Sequence, residues 1–177
     1  MGPQISLKNI SLSFGEEPVF KSLNLLIHPR DRIALVGRNG SGKSTLLKVL
    51  KGLVVQDDGE RMLSRGLSIG YMEQDPNLSK FTKLYDYVYS GVLESNFHLI
   101  EMIGKNLGVD LEISINESSG GERRRAALTK LIAGDHDIML LDEPTNHLDV
   151  EAIEWLESEL KYSSKSFVII SHDRTFL

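Results

Sequence analysis

The sequence predicts an α/β fold that joins a mainly parallel sheet to an N-terminal antiparallel β subdomain and a short helical subdomain. Three patterns carry this prediction. Residues of alternating polarity fill the first part of the chain, apolar residues at helical spacing fill the middle, and apolar strands alternate with helices at the end. Strands that are joined through a helix pair in parallel, because the crossover returns the chain in the same direction. We place the helical subdomain at about residues 78–133.

The elements of the first part follow from polarity and from turn residues. Apolar and polar residues alternate from Ile5 to Ser13, with one irregularity near Asn9, which is typical of a half-buried strand. The continuous apolar run that ends at Val36 indicates a buried parallel strand. Gly52 follows leucines at helical spacing and is a typical helix stop. The expected elements are strands at 5–13, 23–27 and 32–36, a helix at 44–51, and two short strands within 59–72.

The elements of the later part follow from helical spacing and from the length of the apolar runs. Apolar and aromatic side chains recur three or four residues apart after Lys83, whereas two later apolar runs are short enough for strands. The expected elements are two or three short helices within 83–107, a helix at 120–133, a strand at 138–141, a helix at 150–161 and a strand at 166–170.

Composition and length limit the classes of function. A chain of 177 residues suits one domain, and 41% hydrophobic residues are typical of a globular protein with an ordinary core. Twenty basic against 25 acidic residues argue against neutralisation of nucleic-acid phosphates by the whole domain. The absence of cysteine excludes disulfides and thiolate zinc sites. We find no signal sequence and no apolar window of about 20 residues, so we expect a cytoplasmic protein.

The segment from Gly37 to Ser44 matches the phosphate loop G-x-x-x-x-G-K-[ST] and lies between a predicted strand and a predicted helix, as the motif requires. Its glycines allow successive backbone N–H groups to point at phosphates, and the helix N-terminus favours an anion. Lys43 supplies a positive charge, and the Ser44 hydroxyl is a ligand for Mg²⁺. The sequence therefore predicts a site for ATP or GTP. The residues assigned to it are Gly37, Asn39, Gly40, Ser41, Gly42, Lys43, Ser44 and Thr45.

Two carboxylates, Asp142 and Glu143, directly follow the strand predicted at 138–141. Open α/β sheets build their sites at the carboxyl ends of their strands. We expect Asp142 to hold Mg²⁺ through water, and Glu143 to orient or deprotonate the water that attacks the γ-phosphate. The alternative interpretation is an acidic loop that merely ends the strand.

A second motif, Ser119-Gly120-Gly121-Glu122, lies ahead of the acidic pair. Ser119 and Glu122 have the spacing of a capping box at a helix start. Glycines in a helix each cost about 1 kcal/mol, which a cap alone does not explain and which anion binding does explain. The segment resembles the signature motif of the ABC ATPases.

The resemblance to ABC ATPases covers nearly the whole chain and implies a P-loop NTPase core of the ABC type, with residues 1–177 as a single ATP-binding domain. In this family the signature of one domain closes over the ATP that the phosphate loop of a second domain binds. The resemblance implies a second ABC ATPase domain as partner, in the same full-length chain or in a homodimer. It also implies that an isolated domain hydrolyses ATP weakly.

Four further residues resemble functional positions of this family. Gln74 resembles the Q-loop glutamine that contacts Mg²⁺ and the attacking water, and His172 resembles the switch histidine that reaches the γ-phosphate. Asp149 resembles the D-loop aspartate that communicates between paired sites, although it also fits the N-cap of the helix predicted at 150–161. Phe14 resembles the aromatic residue that stacks on adenine, with a position in the core as the alternative.

The residues from Asp142 to Asp149, DEPTNHLD, resemble the same segment in ABC-F proteins, and the overall sequence resembles their Uup-type bacterial branch. ABC-F proteins are cytosolic ATPases without membrane domains that act on or near ribosomes. The resemblance therefore implies the ribosome or its RNA as a partner. Two alternatives stay open: the ATPase subunit of a membrane transporter, whose partner is a permease, and a nucleotide-dependent binding switch with incidental turnover.

The sequence departs from the family pattern in three places. Ser118 stands where the family usually has leucine, and we expect looser packing of the signature loop there. The stretch from Gln74 to Ser119 is short, so we expect the arm that ABC-F proteins often insert to be missing. Because the chain stops at Leu177, just after the switch histidine, we expect a fragment of a longer protein.

The basic run at 123–125 is interpreted as a solvated face in preference to an RNA or partner contact.

Overall fold

The computed structural model describes residues 2–72 and 76–171. The chain forms two compact units, which are described one at a time. The first consists of Met1–Tyr71, His136–Glu143 and Ser164–Leu177, and the second consists of Met72–Asp135 and Pro144–Ser163. In the described part of the chain, no helix has the length and apolar character needed to cross a bilayer.

The first unit contains two sheets and a helix. The elements are β1 Ile5–Phe14, β2 Glu17–Ile27, β3 Arg32–Leu35, α1 Lys43–Lys51, β4 Asp58–Leu63, β5 Ile69–Tyr71, β6 Ile138–Asp142 and β7 Ser166–Ile170. Three strands form an antiparallel sheet in the order β2-β1-β4, and four form a parallel sheet in the order β3-β7-β6-β5. The predicted combination of an N-terminal antiparallel sheet with a parallel sheet is confirmed. The two short strands predicted within 59–72 are β4 and β5, which belong to different sheets.

The irregularity predicted near Asn9 is a bulge in β1. The pairing register of β1 with β2 shifts between Leu7 and Ile10, and Asn9 has a φ of 50°. Asn24 Oδ1 accepts a hydrogen bond from the Asn9 N–H at 3.0 Å. This contact stabilises a backbone conformation that few residues other than glycine, asparagine and aspartate adopt.

Two strands differ from their predictions. β2 begins at Glu17 instead of 23, because Phe20 pairs with Leu12 and Glu17 pairs with Phe14 across the hairpin. β3 is parallel to β7 as predicted, but it is not buried, and Val36 just after it is 69% exposed. The reason is its position at the edge of the sheet, where β7 is its one neighbour among the described strands.

Helix α1 is fixed along its apolar side and at its C-terminus. Its buried side chains share one core with Ile10 of β1 and Val168 of β7. The Arg61 guanidinium of β4 donates to the Leu50 carbonyl from Nη2 at 2.7 Å and from Nε at 3.2 Å. Burial lowers the pKa of Arg61 from its ordinary value, and its charge lies where the helix dipole favours a cation. The helix that follows the phosphate loop therefore has an anchored far end.

The second unit is helical in its described residues. Its elements are α2 Leu84–Tyr89, a 3₁₀ turn at Glu94–Asn96, α3 Phe97–Asn106, α4 Gly120–Ala133 and α5 Val150–Tyr162. These bounds agree with the predicted helices to within a residue for α4 and α5. Lys130 of α4 lies 4.4 Å from the ring centroid of Tyr87, and its Nζ donates to the Tyr87 carbonyl at 3.0 Å. This contact joins α4 to α2.

Candidate nucleotide-binding site

The phosphate loop connects the end of β3 to the start of α1 and depends on two glycines with left-handed backbone. Gly40 has a φ of 78° and Gly42, the N-cap of α1, has a φ of 86°. A Cβ at residue 42 would lie 2.6 Å from Val19 Cγ1 and 3.1 Å from Phe20 Cε1, whereas a Cβ at residue 40 would meet nothing within 4 Å. Gly42 is therefore required both by its φ and by the close approach of β2, and Gly40 by its φ alone.

Lys43 lies at the first position of α1 and folds back over the loop. Its Nζ donates to the Gly37 carbonyl at 2.8 Å and to the Arg38 carbonyl at 2.9 Å. Gly42 provides no side-chain cap, so the N–H groups of the first turn are not capped by a side chain of the N-cap residue. An uncapped helix N-terminus next to an ammonium group is a favourable place for phosphate oxygens.

A cleft of about 420 Å³ opens over this loop. It is lined by Phe14, Glu17, Val19, Asn39, Gly40, Gly42, Lys43, Ser44, Thr45, Glu143 and Ile170. The structure thus brings together eight of the predicted site residues in the first unit. Gly37 and Ser41 lie in the loop but do not line the cleft. Asp142 is buried at the end of β6 and directly precedes Glu143, which does line it.

The sequence prediction missed part of the cleft wall. Phe14 is 58% exposed and lines the cleft, so it is not a core aromatic residue. Its cross-strand partner is Glu17, which lines the cleft as well, as do Val19 and Ile170. The signal that identifies Glu17 is the hairpin register, because residues opposite each other on paired strands share a face.

The acidic pair at the end of β6 divides into a buried and an accessible carboxylate. Asp142 is 1% exposed, whereas Glu143 is half-buried and lines the cleft with Lys43. Glu143 has a φ of 48°, and its N–H donates to the Ile170 carbonyl at 2.9 Å. A left-handed conformation costs a residue with a Cβ roughly 1–2 kcal/mol, and such strain is concentrated at functional sites.

The predicted magnesium ligands fit the chemistry of that ion. No group of three or more histidine or acidic side chains among residues 2–72 and 76–171 is placed to hold a metal by itself. Mg²⁺ usually takes one or two protein oxygen ligands and completes its shell with water and substrate phosphates. The Ser44 hydroxyl, which lines the cleft, and the Asp142 carboxylate supply oxygens of that kind.

The signature segment forms a complete capping box at the start of α4. Ser119 Oγ accepts from the Glu122 N–H at 3.2 Å, and Glu122 Oε2 accepts from the Ser119 N–H at 2.7 Å and from its Oγ at 2.7 Å. These hydrogen bonds from Ser119 lower the pKa of Glu122 from its ordinary value. Gly120 is exposed, and a Cβ at Gly121 would contact His147 Cβ at 3.5 Å. The first turn of α4 is thus both capped and open beside Gly120.

The loop before the signature is not loosely packed. Ser118 is 7% exposed, and its Oγ donates to the Ile115 carbonyl at 2.7 Å and accepts from Arg123 Nε at 2.9 Å. The expected solvated basic face at 123–125 is wrong, because all three arginines are half-buried. Arg123 also donates to the Ile115 carbonyl at 2.8 Å, and Arg125 Nη1 donates to the His147 carbonyl at 3.1 Å. Both are half-buried because they satisfy backbone carbonyls within the second unit.

Asp149 has the structural role that its position suggested. It is the N-cap of α5, and its Oδ1 accepts from the Ala152 N–H at 2.9 Å. Communication between paired sites remains a prediction for this residue. The predicted roles of Gln74 and His172 concern positions outside the described residues.

Comparisons with known proteins agree with the predicted family. A family model described as ABC transporter matches residues 20–146. The ATP-binding protein Uup of Caulobacter vibrioides is 44% identical over 176 residues, which cover 99% of this chain and 28% of that protein. Uup of Escherichia coli is 33% identical over 213 residues, which cover 98% of this chain and 34% of that protein. The chain thus spans about a third of the length of these curated relatives.

A relative from Mycobacterium tuberculosis, the energy-dependent translational throttle protein EttA, is 29% identical, with 97% of this chain and 38% of that protein covered. A solved structure described as the ATP binding subunit of an ABC transporter superposes with a TM-score of 0.83 at 18% identity, over 96% of this chain and 79% of that one. This likeness shows the fold alone.

The alignment with Escherichia coli Uup exceeds the 177 residues of this chain, so that relative carries inserted residues, whereas the Caulobacter alignment does not exceed that length.

Proposed function

Because this chain belongs to the ABC transporter family, we propose that residues 1–177 form one ABC-type domain that binds ATP and hydrolyses it to ADP and phosphate. The observation that carries the proposal is the cleft over the phosphate loop. It combines an ammonium group, an uncapped helix start, an accessible carboxylate and an exposed aromatic ring. The ammonium group and the helix start suit the triphosphate, the carboxylate suits the attacking water, and the aromatic ring suits the nucleobase.

Lys43 and α1 bind the phosphates in this proposal. The Lys43 ammonium exchanges the carbonyls of Gly37 and Arg38 for oxygens of the β- and γ-phosphates, and the N–H groups of the first turn of α1 donate to the same oxygens. Phe14, an exposed ring in the cleft lining, stacks on adenine. ATP preference over GTP is carried by the family resemblance, because stacking does not distinguish the two bases.

Glu143 is the group that acts on water. Its carboxylate orients or deprotonates the water that attacks the γ-phosphate, and the Ile170 carbonyl holds its backbone in the strained conformation. Ser44 and, through water, Asp142 would hold Mg²⁺, which would neutralise charge on the phosphates. From the family resemblance, Gln74 completes the contacts to Mg²⁺ and water, and His172 reaches the γ-phosphate.

The signature segment acts on ATP held by a second domain. Ser119 and the N–H groups at the start of α4 face the γ-phosphate of that ATP, and Gly120 leaves room for it. Two domains in head-to-tail order then form two composite sites. An isolated domain hydrolyses ATP slowly, because each of its sites lacks half of the groups.

The decisive experiment uses Glu143→Gln, which keeps the size of the side chain and removes the base. We expect hydrolysis to fall by at least about 100-fold and the ATP-bound pair to persist. Analytical ultracentrifugation with ATP and Mg²⁺ measures the pair, and phosphate release measures turnover. Lys43→Ala should bind no ATP and form no pair with a second copy of itself, whereas Lys48→Ala, on an exposed residue of the same helix, should behave as the wild type. A wild-type rate per molecule that does not depend on protein concentration would contradict the composite site.

We also propose a place for this domain in a cytosolic ABC-F protein that acts on or near the ribosome. The DEPTNHLD segment and the likeness to Uup proteins and to a translational throttle protein support this assignment. Cosedimentation of the Glu143→Gln variant with ribosomes should require ATP and fail with ADP. Equal sedimentation with both nucleotides, or none with either, would argue against it.

A further inference from the structure

Arg123 joins the signature helix to the loop in front of it. Its guanidinium spans two acceptors: Nε donates to Ser118 Oγ at 2.9 Å, and Nη2 donates to the Ile115 carbonyl at 2.8 Å. Ser118 Oγ closes the triangle by donating to the same carbonyl at 2.7 Å. We call Ile115, Ser118 and Arg123 the signature clamp.

The clamp is built from directional hydrogen bonds that are partly or fully buried. Ser118 is 7% exposed, and its backbone N–H donates to the Ser114 carbonyl at 3.0 Å. A planar guanidinium reaches two acceptors in a fixed geometry, which an ammonium or an apolar side chain does not reproduce. The clamp therefore fixes the direction in which the chain enters α4.

The loop that carries the clamp is itself attached to the start of α2. The Ile115 N–H donates to the Thr82 carbonyl at 2.9 Å, and the Leu84 N–H donates to the Ile113 carbonyl at 3.1 Å. Lys83 and Glu112 form an ion pair at 2.6 Å across the same two segments. Arg123 thus connects the start of α4 to a loop that is itself hydrogen-bonded to the start of α2.

We propose that Arg123 and Ser118 are positioning residues that hold Ser119 and Gly120 in the geometry that contacts ATP bound by a second domain. The capping box of Ser119 and Glu122 is local and moves with the helix end, so it does not fix that end relative to the rest of the second unit. Ser118 directly precedes Ser119, and through it the clamp supplies this restraint. The inference rests on the proposed pairing of two domains.

The first test measures pairing in the Glu143→Gln background. Analytical ultracentrifugation with ATP and Mg²⁺ should show a pair that is at least about tenfold weaker when Arg123→Met is added, as expected for lost bonds to a charged group. Arg123→Lys should weaken it by a similar factor, because the charge is kept and the fork is lost. Arg65→Met, on an exposed arginine in a turn of the first unit, is the matched control and should leave the pair unchanged.

Failure of the proposed pairing is distinguishable from failure of the inference. If Glu143→Gln alone never pairs with ATP, the proposed pairing of two copies of this domain fails and the clamp fails with it. If that variant pairs and addition of Arg123→Met or Arg123→Lys leaves the pair equally tight, the clamp fails alone.

The second test separates positioning from a merely structural role. A monomer binds ATP through its own phosphate loop, so Arg123→Lys should retain wild-type affinity for a fluorescent ATP analogue while its turnover falls. Mixing Arg123→Lys with Lys43→Ala should restore part of the turnover, because one composite site of the mixed pair then has an intact phosphate loop and an intact signature. Weaker nucleotide binding by Arg123→Lys, or no recovery on mixing, would overturn the inference.

Discussion

The two helix starts that the proposed function assigns to ATP are built in opposite ways. The N-cap of helix α1 is Gly42, which offers no side-chain cap, and Lys43 adds a positive charge beside it. The N-cap of helix α4 is Ser119, whose capping box is complete, and the Glu122 carboxylate lies at the N-terminus of the helix. The positive end of the α4 dipole is already partly offset by that carboxylate, whereas that of α1 is not. An open start suits tight binding within one chain, and a satisfied start suits contact that depends on a partner bringing its ATP.

The largest loss of stability and nucleotide binding is expected at the α1 start. Gly42→Ala meets both a φ of 86° and a side-chain atom at 2.6 Å, so we expect it to lower the free energy of unfolding by about 2–4 kcal/mol and to abolish ATP binding. Gly40→Ala is the matched control: its φ of 78° carries a cost of about 1 kcal/mol, and its Cβ has open space. Urea unfolding and nucleotide titration measure both variants. Equal losses would show that the approach of Val19 does not matter.

A smaller loss of stability, near 1 kcal/mol, is expected when the start of α5 loses its cap. Asp149→Ala removes the acceptor for the Ala152 N–H and should lower the free energy of unfolding by about 1 kcal/mol, whereas Asp149→Asn retains an equivalent cap. Urea unfolding compares the two. If Asp149→Asn keeps full stability and pairs less well in ATP, the residue also communicates between sites. Full pairing by Asp149→Asn would leave capping of α5 as the role of Asp149.

The smallest effect is a pH dependence at the α4 start. Hydrogen bonds from Ser119 lower the pKa of Glu122 in the folded protein. A carboxyl group with a lowered folded pKa stabilises the fold at pH above its unfolded value of about 4.5, and this contribution is lost as the pH falls through the folded value. Glu122→Gln should therefore cost less than about 1 kcal/mol at pH 7.

The deficit of Glu122→Gln relative to the wild type should shrink as the pH falls from about 4.5 through the lowered folded pKa of Glu122. Urea unfolding between pH 3 and 8 measures it, and Glu117→Gln, on an exposed neighbour, should show no such change. A deficit that is the same at every pH would locate the effect outside the carboxylate.

Local patterns were enough to predict the helix starts, because a cap, a glycine and a motif lie within a few residues of one another. The bounds of α4 and the bulge at Asn9 follow from such short-range chemistry. The length of β2 did not, since its first residues mix charged and apolar side chains with a proline, and only their pairing with β1 makes them a strand. The exposure of β3 depends on its place in the sheet order, which the sequence of residues 32–36 does not encode by itself.

The candidate site likewise contains residues that local motifs predict and residues that only long-range pairing brings in. Lys43, Ser44 and Glu143 were predicted from motifs, and the structure places them in one cleft. Glu17 and Val19 were missed because they reach it through the register of a hairpin. Arg123 looked like a solvated charge because its acceptors lie five and eight residues back, in a loop whose path the sequence does not reveal.

Arg61 gives α1 a property that concerns the thermodynamics of binding. A ligand that must immobilise a mobile helix loses affinity to the entropy of ordering it. Here the guanidinium already restrains the last turn of α1 through the Leu50 carbonyl before any nucleotide arrives. Part of that entropy is therefore lost when the protein folds, and we expect Arg61 to contribute to nucleotide affinity from the opposite end of the helix, without touching the nucleotide.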